Sequence, residues 1–408
     1  MSNKKIIIIF VLLIGFQTIF SFLSPAYNDS FYWKTIEELD FYKGYTLDTF
    51  DDSLAQKIYP LVKNYRMNLD GGGYLLLAHD FPQHYFKGNV TFLTRPLYPI
   101  LVNWAARPLH LISDSYSMTF AAGLLVNLIL FFFTVYLFYL LVKKIISHRV
   151  AFLSSLLLIF SPLAHVWLIQ PETNILGIFT VILSLYLLYK YIKHPTLKKL
   201  IIFSLIIGIL ILGKKLFAIS IFILLLALFF KRFKEGIIFF VVHLIPLALW
   251  GFWVTKIWGL NFYIDEVASF GVGIWIFDIF HWPWYHTLQV FIESLPRFIS
   301  SVIYGFLVIP VIFAFIGYRK LSLVNKNILY FSFILSFFIL LFLVNIYFPR
   351  YGFLTFPFVY PLAVLGIDKI AGYLKKYKNW YAFVFYILAY GSMIIISSLN
   401  IYQFVYYG

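Results

Sequence analysis

The chain has 408 residues, of which 62% are apolar and only 12% are charged. A soluble globular protein is nearer half apolar and a quarter charged, so this composition excludes an ordinary soluble enzyme and indicates a membrane protein. The net charge of +15 does not indicate a nucleic-acid partner, because many lysines stand in clusters at the ends of apolar runs. Such clusters are typical of the cytoplasmic ends of transmembrane helices.

The N-terminal segment carries Lys4 and Lys5, followed by a mostly apolar run that ends near Leu23. Two interpretations are open, a cleaved signal peptide and an uncleaved first helix. The run is long for a signal peptide, and no clear A-x-A cleavage site follows it. We therefore predict a first transmembrane helix with the N-terminus in the cytoplasm.

Further apolar runs, each long enough to cross roughly 30 Å of hydrocarbon, recur along the chain. The run 200–230 is interpreted as two short helices, because a single helix would turn the basic clusters at 231–234 and 319–320 to the outside, against the positive-inside rule. The sequence thus predicts an all-α polytopic membrane protein with about eleven transmembrane helices, forming one transmembrane domain over residues 1–408. The predicted spans are 6–23, 117–142, 149–168, 173–190, 199–213, 216–230, 236–258, 298–317, 327–346, 352–368 and 380–400.

Two long segments fall outside the membrane in this topology. The first outer loop, 24–116, contains helix-like patterns and an apolar stretch, 96–112, which is either an interfacial helix or a twelfth span. Its interruption by Asn103 and Arg107 favours the interfacial helix. The second outer loop, 259–296, is rich in tryptophan and phenylalanine, as expected at a membrane surface.

Several familiar kinds of site are missing from the sequence. There is no cysteine, which excludes disulfides and thiolate metal sites, and there is no phosphate-binding G-x-x-x-x-G-K-[ST] loop or HExxH zinc motif. The nine histidines are scattered. His79, His84 and His165 fall on the outer side, where we interpret them as structural.

A glycine-rich stretch in the first outer loop is the most informative. It runs from Asp70 through three glycines to Tyr74 and Ala78, and the segment Arg95-Pro-Leu-Tyr-Pro99 follows. On spacing alone this is either a turn before a helix or a catalytic loop. The order of these residues resembles the first outer loop of the GT-C superfamily of polytopic glycosyltransferases, which includes protein O-mannosyltransferases and lipid A aminoarabinose transferases.

Three later stretches are similar to further GT-C motifs in the same order. Gln170-Pro-Glu172-Thr resembles the second acidic motif, although the family more often has aspartate there. The segment GILILGKK at 208–215 places Lys214 at the family's basic position, and Phe348-Pro-Arg350-Tyr351 resembles a late Arg-Tyr motif. The resemblance covers roughly residues 6 to 370.

The resemblance implies a transferase that displaces a polyprenyl phosphate from a sugar with inversion at the outer face of the cell membrane. Its partners would be a polyprenyl-phosphate sugar donor, a lipid, glycan or protein acceptor, and membrane lipids, with no nucleic acid. We expect no obligatory metal or other cofactor, while a divalent metal stays open. The alternative is a flippase or transporter of lipid-linked saccharides, which would also present outer basic residues to phosphate.

The same resemblance gives the candidate residues their roles. Asp70 is the candidate base, and Glu172 is a second candidate catalytic residue that would bind a metal, orient the base or hold substrate hydroxyls. The alternative for Glu172 is a helix N-terminal acid stabilised by the macrodipole. The candidate donor phosphate-binding residues are Arg350, Lys214 and Arg95, and those that would position substrate are Tyr74 and Tyr351.

Overall fold

The computed structural model describes residues 3–23, 61, 69–80, 95–213, 232–258, 283–306, 308–319 and 353–398. In these ranges the chain is helical and contains no strand, which confirms the all-α class. The helices are α1 (Asn3–Leu23), α2 (Leu69–His79), α3 (Leu97–His110), α4 (Tyr116–Ile145), α5 (His148–Ile159), α6 (Pro162–Leu168), α7 (Asn174–Lys193), α8 (Leu197–Ile211), α9 (Phe233–Trp258), α10 (Trp284–Gly305), α11 (Ile309–Tyr318), α12 (Phe356–Lys375) and α13 (Asn379–Ser398). A short 3-10 helix, Phe353–Thr355, leads into α12.

Five helical segments among the described residues are long and apolar enough to cross a membrane: α1, α4, α7, α9 and the stretch Phe353–Lys375 that contains α12. Helices α5, α11 and most of α13 are apolar but shorter. The predicted spans 216–230 and 327–346 lie outside the described residues, so the total of eleven spans stays a prediction. Residues 24–60, 62–68 and 81–94 of the first outer loop, among them His84, and residues 259–282 of the second also lie outside them.

Two predicted spans have different bounds in the structure. The predicted span 149–168 is divided into α5 and α6, because Ser161 caps a new helix with its Oγ accepting from the backbone N–H of Ala164 at 3.2 Å. Pro162 then occupies the first turn, where its missing N–H costs no hydrogen bond.

The predicted span 298–317 is divided between α10 and α11. Between them Val308 adopts a φ of 68°, a left-handed conformation in which a regular helix cannot continue. Helix α10 begins at Trp284, within the predicted second outer loop, because its polar residues alternate with apolar ones at helical spacing. A search for uninterrupted apolar runs does not detect such an amphipathic helix, because polar residues interrupt its apolar pattern.

Helix α4 is at the centre of the part that carries the candidate site. It packs against α1, α3, α5 and α7, and α2 lies against both α3 and α4. The stretch 96–112 forms α3, and Asn103, which interrupts its apolar pattern, donates a hydrogen bond of 2.8 Å to the carbonyl of Ala78. This bond ties the end of α2 to the middle of α3.

Helices α11 and α12 approach closely at two glycines. A Cβ atom at Gly366 would overlap the carbonyl of Phe313, and one at Gly317 would overlap the carbonyl of Leu362. Because these neighbours are backbone atoms, neither helix has room for a side chain at the crossing. Small residues at such crossings are a common way for membrane helices to pack tightly.

Candidate functional site

The site is built where α2, α3 and α4 meet the segment before α7. Arg95 stands just before α3 and donates from Nη1 to the hydroxyl of Tyr74 on α2, at 3.4 Å. The ring of Tyr74 meets that of Tyr98 edge to face, with centroids 5.8 Å apart. Both tyrosines are almost completely buried, so their hydroxyls need partners inside the protein.

Tyr98 finds its partner on α4, where its hydroxyl donates to Oδ1 of Asn127 at 2.9 Å. The amide nitrogen of Asn127 in turn donates to the carbonyls of Trp167 at 3.1 Å and Gln170 at 2.6 Å. Helix α6 ends at Leu168, so these carbonyls lie at and beyond a helix C-terminus, where the last carbonyls lack partners within the helix. One buried amide therefore connects α3, α4 and the segment that leads to Glu172.

Glu172 is 3% exposed and lies two residues before the start of α7. Its Oε1 accepts a hydrogen bond of 2.6 Å from Nδ2 of Asn174. The segment is packed against α4, because a Cβ atom at Gly123 would stand 2.7 Å from the Cβ of Pro171. A carboxylate at this depth requires hydrogen bonds or positive charge to remain ionised.

Glu172 also affects the tyrosine pair through its charge. Burial raises the pKa of the Tyr98 phenol well above its ordinary value, and the negative charge of Glu172 raises it further. Tyr98 is therefore a neutral hydrogen-bond donor at every physiological pH. We use the name polar network for Arg95, Tyr74, Tyr98, Asn127 and Glu172, which are linked by the contacts described above.

The structure thus places three of the predicted site residues, Arg95, Tyr74 and Glu172, in one network. Asp70 belongs to the first turn of α2, one helical turn before Tyr74, but its side chain lies outside the described residues. Lys214, Arg350 and Tyr351 also lie outside them. The roles of all seven residues stay predictions.

Described residues close in sequence to two of these positions make contacts near the polar network. Leu212, two residues before Lys214, accepts a backbone hydrogen bond of 3.4 Å from Leu97, two residues after Arg95. Phe353, two residues after Tyr351, is buried and meets the ring of Trp167 edge to face at 5.7 Å. Both contacts are with residues of the network or its immediate neighbours.

The sequence interpretation assigned no role to Asn127, Tyr98 or Asn174. Asn127 gave a usable signal, because a lone amide within a 30-residue apolar helix is expensive in lipid and is retained where it has a task. Tyr98 stood within the Arg95–Pro99 motif but looked like one of many interfacial aromatic residues. Asn174 gave no signal beyond its place near a helix start.

Comparisons with known proteins bear on the fold. Residues 98–258 match the family model described as dolichyl-phosphate-mannose-protein mannosyltransferase. The chain is also similar to solved structures of the oligosaccharyltransferase of the archaeon Archaeoglobus fulgidus. The fold is that of the GT-C glycosyltransferases.

The structural likeness extends over most of this chain but only part of its counterparts. The enzyme tethered to an acceptor peptide matches with a TM-score of 0.53 at 13% identity, over 82% of this chain and 50% of that one. Its complex with Zn and sulfate matches with a TM-score of 0.53 at 15% identity, over 80% and 47%. The complex of the archaeal enzyme AglB with an inhibitory peptide and a dolichol-phosphate matches with a TM-score of 0.51 at 14% identity, over 82% and 52%.

This chain therefore spans about half the length of the solved structures that it matches. None of the curated protein sequences matches it significantly. Together the comparisons confirm the predicted resemblance to GT-C proteins at the level of the fold.

Proposed function

We propose that this protein is a membrane glycosyltransferase that transfers a sugar from a polyprenyl-phosphate donor to an acceptor hydroxyl. The observation that carries the proposal is the polar network, in which Tyr74, Tyr98 and Asn127 connect Arg95 to the carbonyl of Gln170, two residues before the buried carboxylate of Glu172. A network of this kind on a GT-C fold supplies both charges that the reaction needs.

The reaction exchanges one bond at the anomeric carbon. The acceptor oxygen bonds to that carbon from the side opposite the phosphate, the carbon–phosphate oxygen bond breaks, and its electron pair leaves with the lipid phosphate. The proton of the acceptor hydroxyl passes to a base, for which Asp70 is the candidate. Attack from the opposite side inverts the configuration of the sugar.

Positive charge near the leaving phosphate stabilises the charge that develops on it. Arg95 supports this role, because its guanidinium is held at the network by Tyr74 and offers several donors in a fork that fits phosphate oxygens. Lys214 and Arg350 are the further candidates from sequence. The family model that matches this chain is described by a dolichyl-phosphate sugar, and one matched structure contains a dolichol-phosphate, which favours a polyprenyl donor.

Glu172 would act on the sugar or the acceptor rather than on the phosphate, because a buried carboxylate repels a phosphate anion. The hydrogen bond that Asn174 donates to Oε1 holds this carboxylate in place, where we propose that it contacts a substrate hydroxyl or orients the base. Matched structures that contain peptides favour a protein as the first acceptor to test, beside lipid and glycan acceptors.

An outer location is supported by the charges at the helix ends. The last turns of α4 and α7 carry lysine pairs, Lys143-Lys144 and Lys190 with Lys193, whereas Glu172 lies just before the opposite end of α7. Since basic helix ends usually face the cytoplasm, this arrangement supports an outer location for the network. Sugars on lipid carriers are the donors expected there.

The test is turnover by full-length protein purified in detergent and given a short-chain polyprenyl-phosphate sugar with peptide, lipid or glycan acceptors. We expect the parent to release lipid phosphate and form a glycoside of inverted configuration, measured by nuclear magnetic resonance. The Asp70→Asn variant should bind the donor and turn over ~10²- to 10⁴-fold more slowly. An equal rate in correctly folded Asp70→Asn and Arg350→Ala variants would refute the assigned roles. Binding without turnover, together with movement of the lipid across vesicles, would favour the flippase alternative.

A further inference from the structure

Three side chains outside the polar network converge at the outer ends of α2 and α3. His79 is the last residue of α2, His110 is the last residue of α3, and Asp114 lies in the linker before α4. One potential ligand atom from each of these residues lies within 4.8 Å of the others. We call these three residues the junction cluster, because they join three elements of the fold.

Each histidine ring of the junction cluster is oriented by a hydrogen bond on its outward nitrogen. Nδ1 of His79 is 2.9 Å from a carboxylate oxygen of Asp80, and Nε2 of His110 is 3.0 Å from the hydroxyl of Thr119. A carboxylate can only accept, so the proton of His79 belongs on Nδ1. The lone pair of a neutral His79 is then on Nε2, and Thr119 can hold His110 in the matching state by accepting from its Nε2.

The inward atoms face one another at distances too long for hydrogen bonds. Oδ1 of Asp114 is 3.8 Å from Nε2 of His79 and 3.5 Å from Nδ1 of His110. Nε2 of His79 is buried and has no hydrogen-bond partner among the residues that the structure describes. Tetrahedral zinc, with bonds of about 2.0–2.2 Å, would separate neighbouring ligand atoms by roughly 3.3–3.6 Å, which is close to the two distances from Asp114.

We propose that the junction cluster binds a zinc ion or a chemically similar transition-metal dication. Two imidazole nitrogens and one carboxylate oxygen form a ligand set typical of zinc, with water as the fourth ligand. Metal-binding histidines are commonly oriented by a hydrogen bond from the second ring nitrogen, and Asp80 and Thr119 supply such bonds here. Asp114 is 77% exposed, so the ion can reach the cluster from solvent.

The role of the ion would be to hold α2 in place. His79 is five residues after Tyr74 on α2, about 7.5 Å along the helix axis, so the cluster is separate from the polar network. A metal bound there joins the ends of α2 and α3 to the linker that starts α4. The ring of His79 is already stacked on Tyr116, the first residue of α4, at a centroid distance of 4.0 Å. The ion would therefore position α2, and Tyr74 with it.

Metal binding can be measured without any sugar substrate. The full-length protein, purified in detergent with a histidine-free tag, is stripped with a chelator, then titrated with Zn²⁺ and in parallel with Co²⁺. We expect one Zn²⁺ per chain by elemental analysis, a rise in the unfolding temperature on zinc addition, and the visible absorption bands of four-coordinate Co²⁺. The His110→Ala and Asp114→Asn variants should bind at least ~10-fold more weakly.

The controls separate metal binding from general damage to the fold. The His194→Ala variant removes an exposed histidine at the end of α7 and should bind zinc as the parent does. Asp114→Asn changes an exposed side chain, so it keeps the fold even if His110→Ala does not. Absence of zinc binding by the parent, or equal zinc affinity of the parent and Asp114→Asn, would overturn the proposal and leave an ordinary histidine–carboxylate contact. Because no donor is used, this result is independent of the proposed transferase activity.

Discussion

The hydroxyl of Tyr98 on α3 donates a hydrogen bond of 2.9 Å to the amide oxygen of Asn127, which lies on the central helix α4. The same amide donates to the carbonyls of Trp167 and Gln170. Asn127 thus uses both ends of its side chain in a completely buried place, and each bond joins a different part of the site. The predictions below follow from this arrangement and from the packing around it.

Replacing Asn127 by leucine should both destabilise the protein and reduce turnover. The change leaves the Tyr98 hydroxyl and two carbonyls without their partner, and a buried polar group left unpaired costs about 1–3 kcal/mol. We expect a lower unfolding temperature in detergent and a slower transferase reaction. The matched control is Thr134→Val in the same helix, which removes only a bond to the carbonyl of Leu130 one turn earlier. Equal losses in the two variants would contradict the special position of Asn127.

Replacing Glu172 by glutamine should remove the charge while keeping the shape of the site. The glutamine oxygen can still accept the hydrogen bond that Asn174 donates to Oε1. We therefore expect a protein that is as stable as the parent but has a lower kcat, by ~10-fold or more if the carboxylate takes part in proton transfer. Thermal unfolding and steady-state kinetics check the two halves of the prediction. A kcat equal to that of the parent would indicate that Glu172 is only an acid that stabilises the start of a helix.

Replacing Arg95 by glutamine should weaken donor binding more than it slows the bound complex. A charge-assisted hydrogen bond is worth about 1.5–3 kcal/mol, which corresponds to a ~10- to 150-fold rise in the KM for the lipid-phosphate sugar. The control is Arg107→Gln, which removes an exposed basic residue from the last turn of α3. If the two variants raise the KM equally, the effect comes from general attraction to anionic lipid.

Replacing Gly366 by alanine should destabilise the α11–α12 crossing. The new methyl group would overlap the backbone carbonyl of Phe313, which cannot move aside as a flexible side chain can. Overpacking of this kind costs about 1–3 kcal/mol and should lower the unfolding temperature. The control is Gly372→Ala, two turns later in α12, where nothing lies within 4 Å of the added atom. The tight crossing would be disproved if the control were destabilised as much.

Hydropathy predicted most of the described helices, because a helix that spans a membrane must contain a long apolar run. The same approach missed the division at Ser161, since a capping serine followed by proline interrupts the hydrogen bonds of a helix without interrupting its apolar composition. It also missed the start of α10, whose polar residues are acceptable only because one side of an amphipathic helix need not face lipid. The bounds of helices thus depend on capping and on surroundings that hydropathy does not measure.

The candidate site was predictable only in part. Order and residue type along the chain selected Arg95, Tyr74 and Glu172, which the structure brings into one network. The residues that connect them, Tyr98 and Asn127, act through contacts between distant parts of the chain that no local pattern contains. The junction cluster was missed for the same reason, since His79 and His110 lie on different helices and each alone looks structural.

The end of α6 at Leu168 has a consequence for how this region can vary among relatives. Because α6 ends at Leu168, the carbonyls of Trp167 and Gln170 leave the helical pattern within a largely apolar surrounding, where water cannot replace the missing donors. Asn127 supplies those donors from the neighbouring helix. In a relative whose helix continues unbroken past this point, the carbonyls already have partners within the helix. An amide at position 127 would then be buried without hydrogen bonds, which destabilises the protein. The helix end at 168 and the residue at 127 should therefore change together, as a single inherited unit formed by two distant segments.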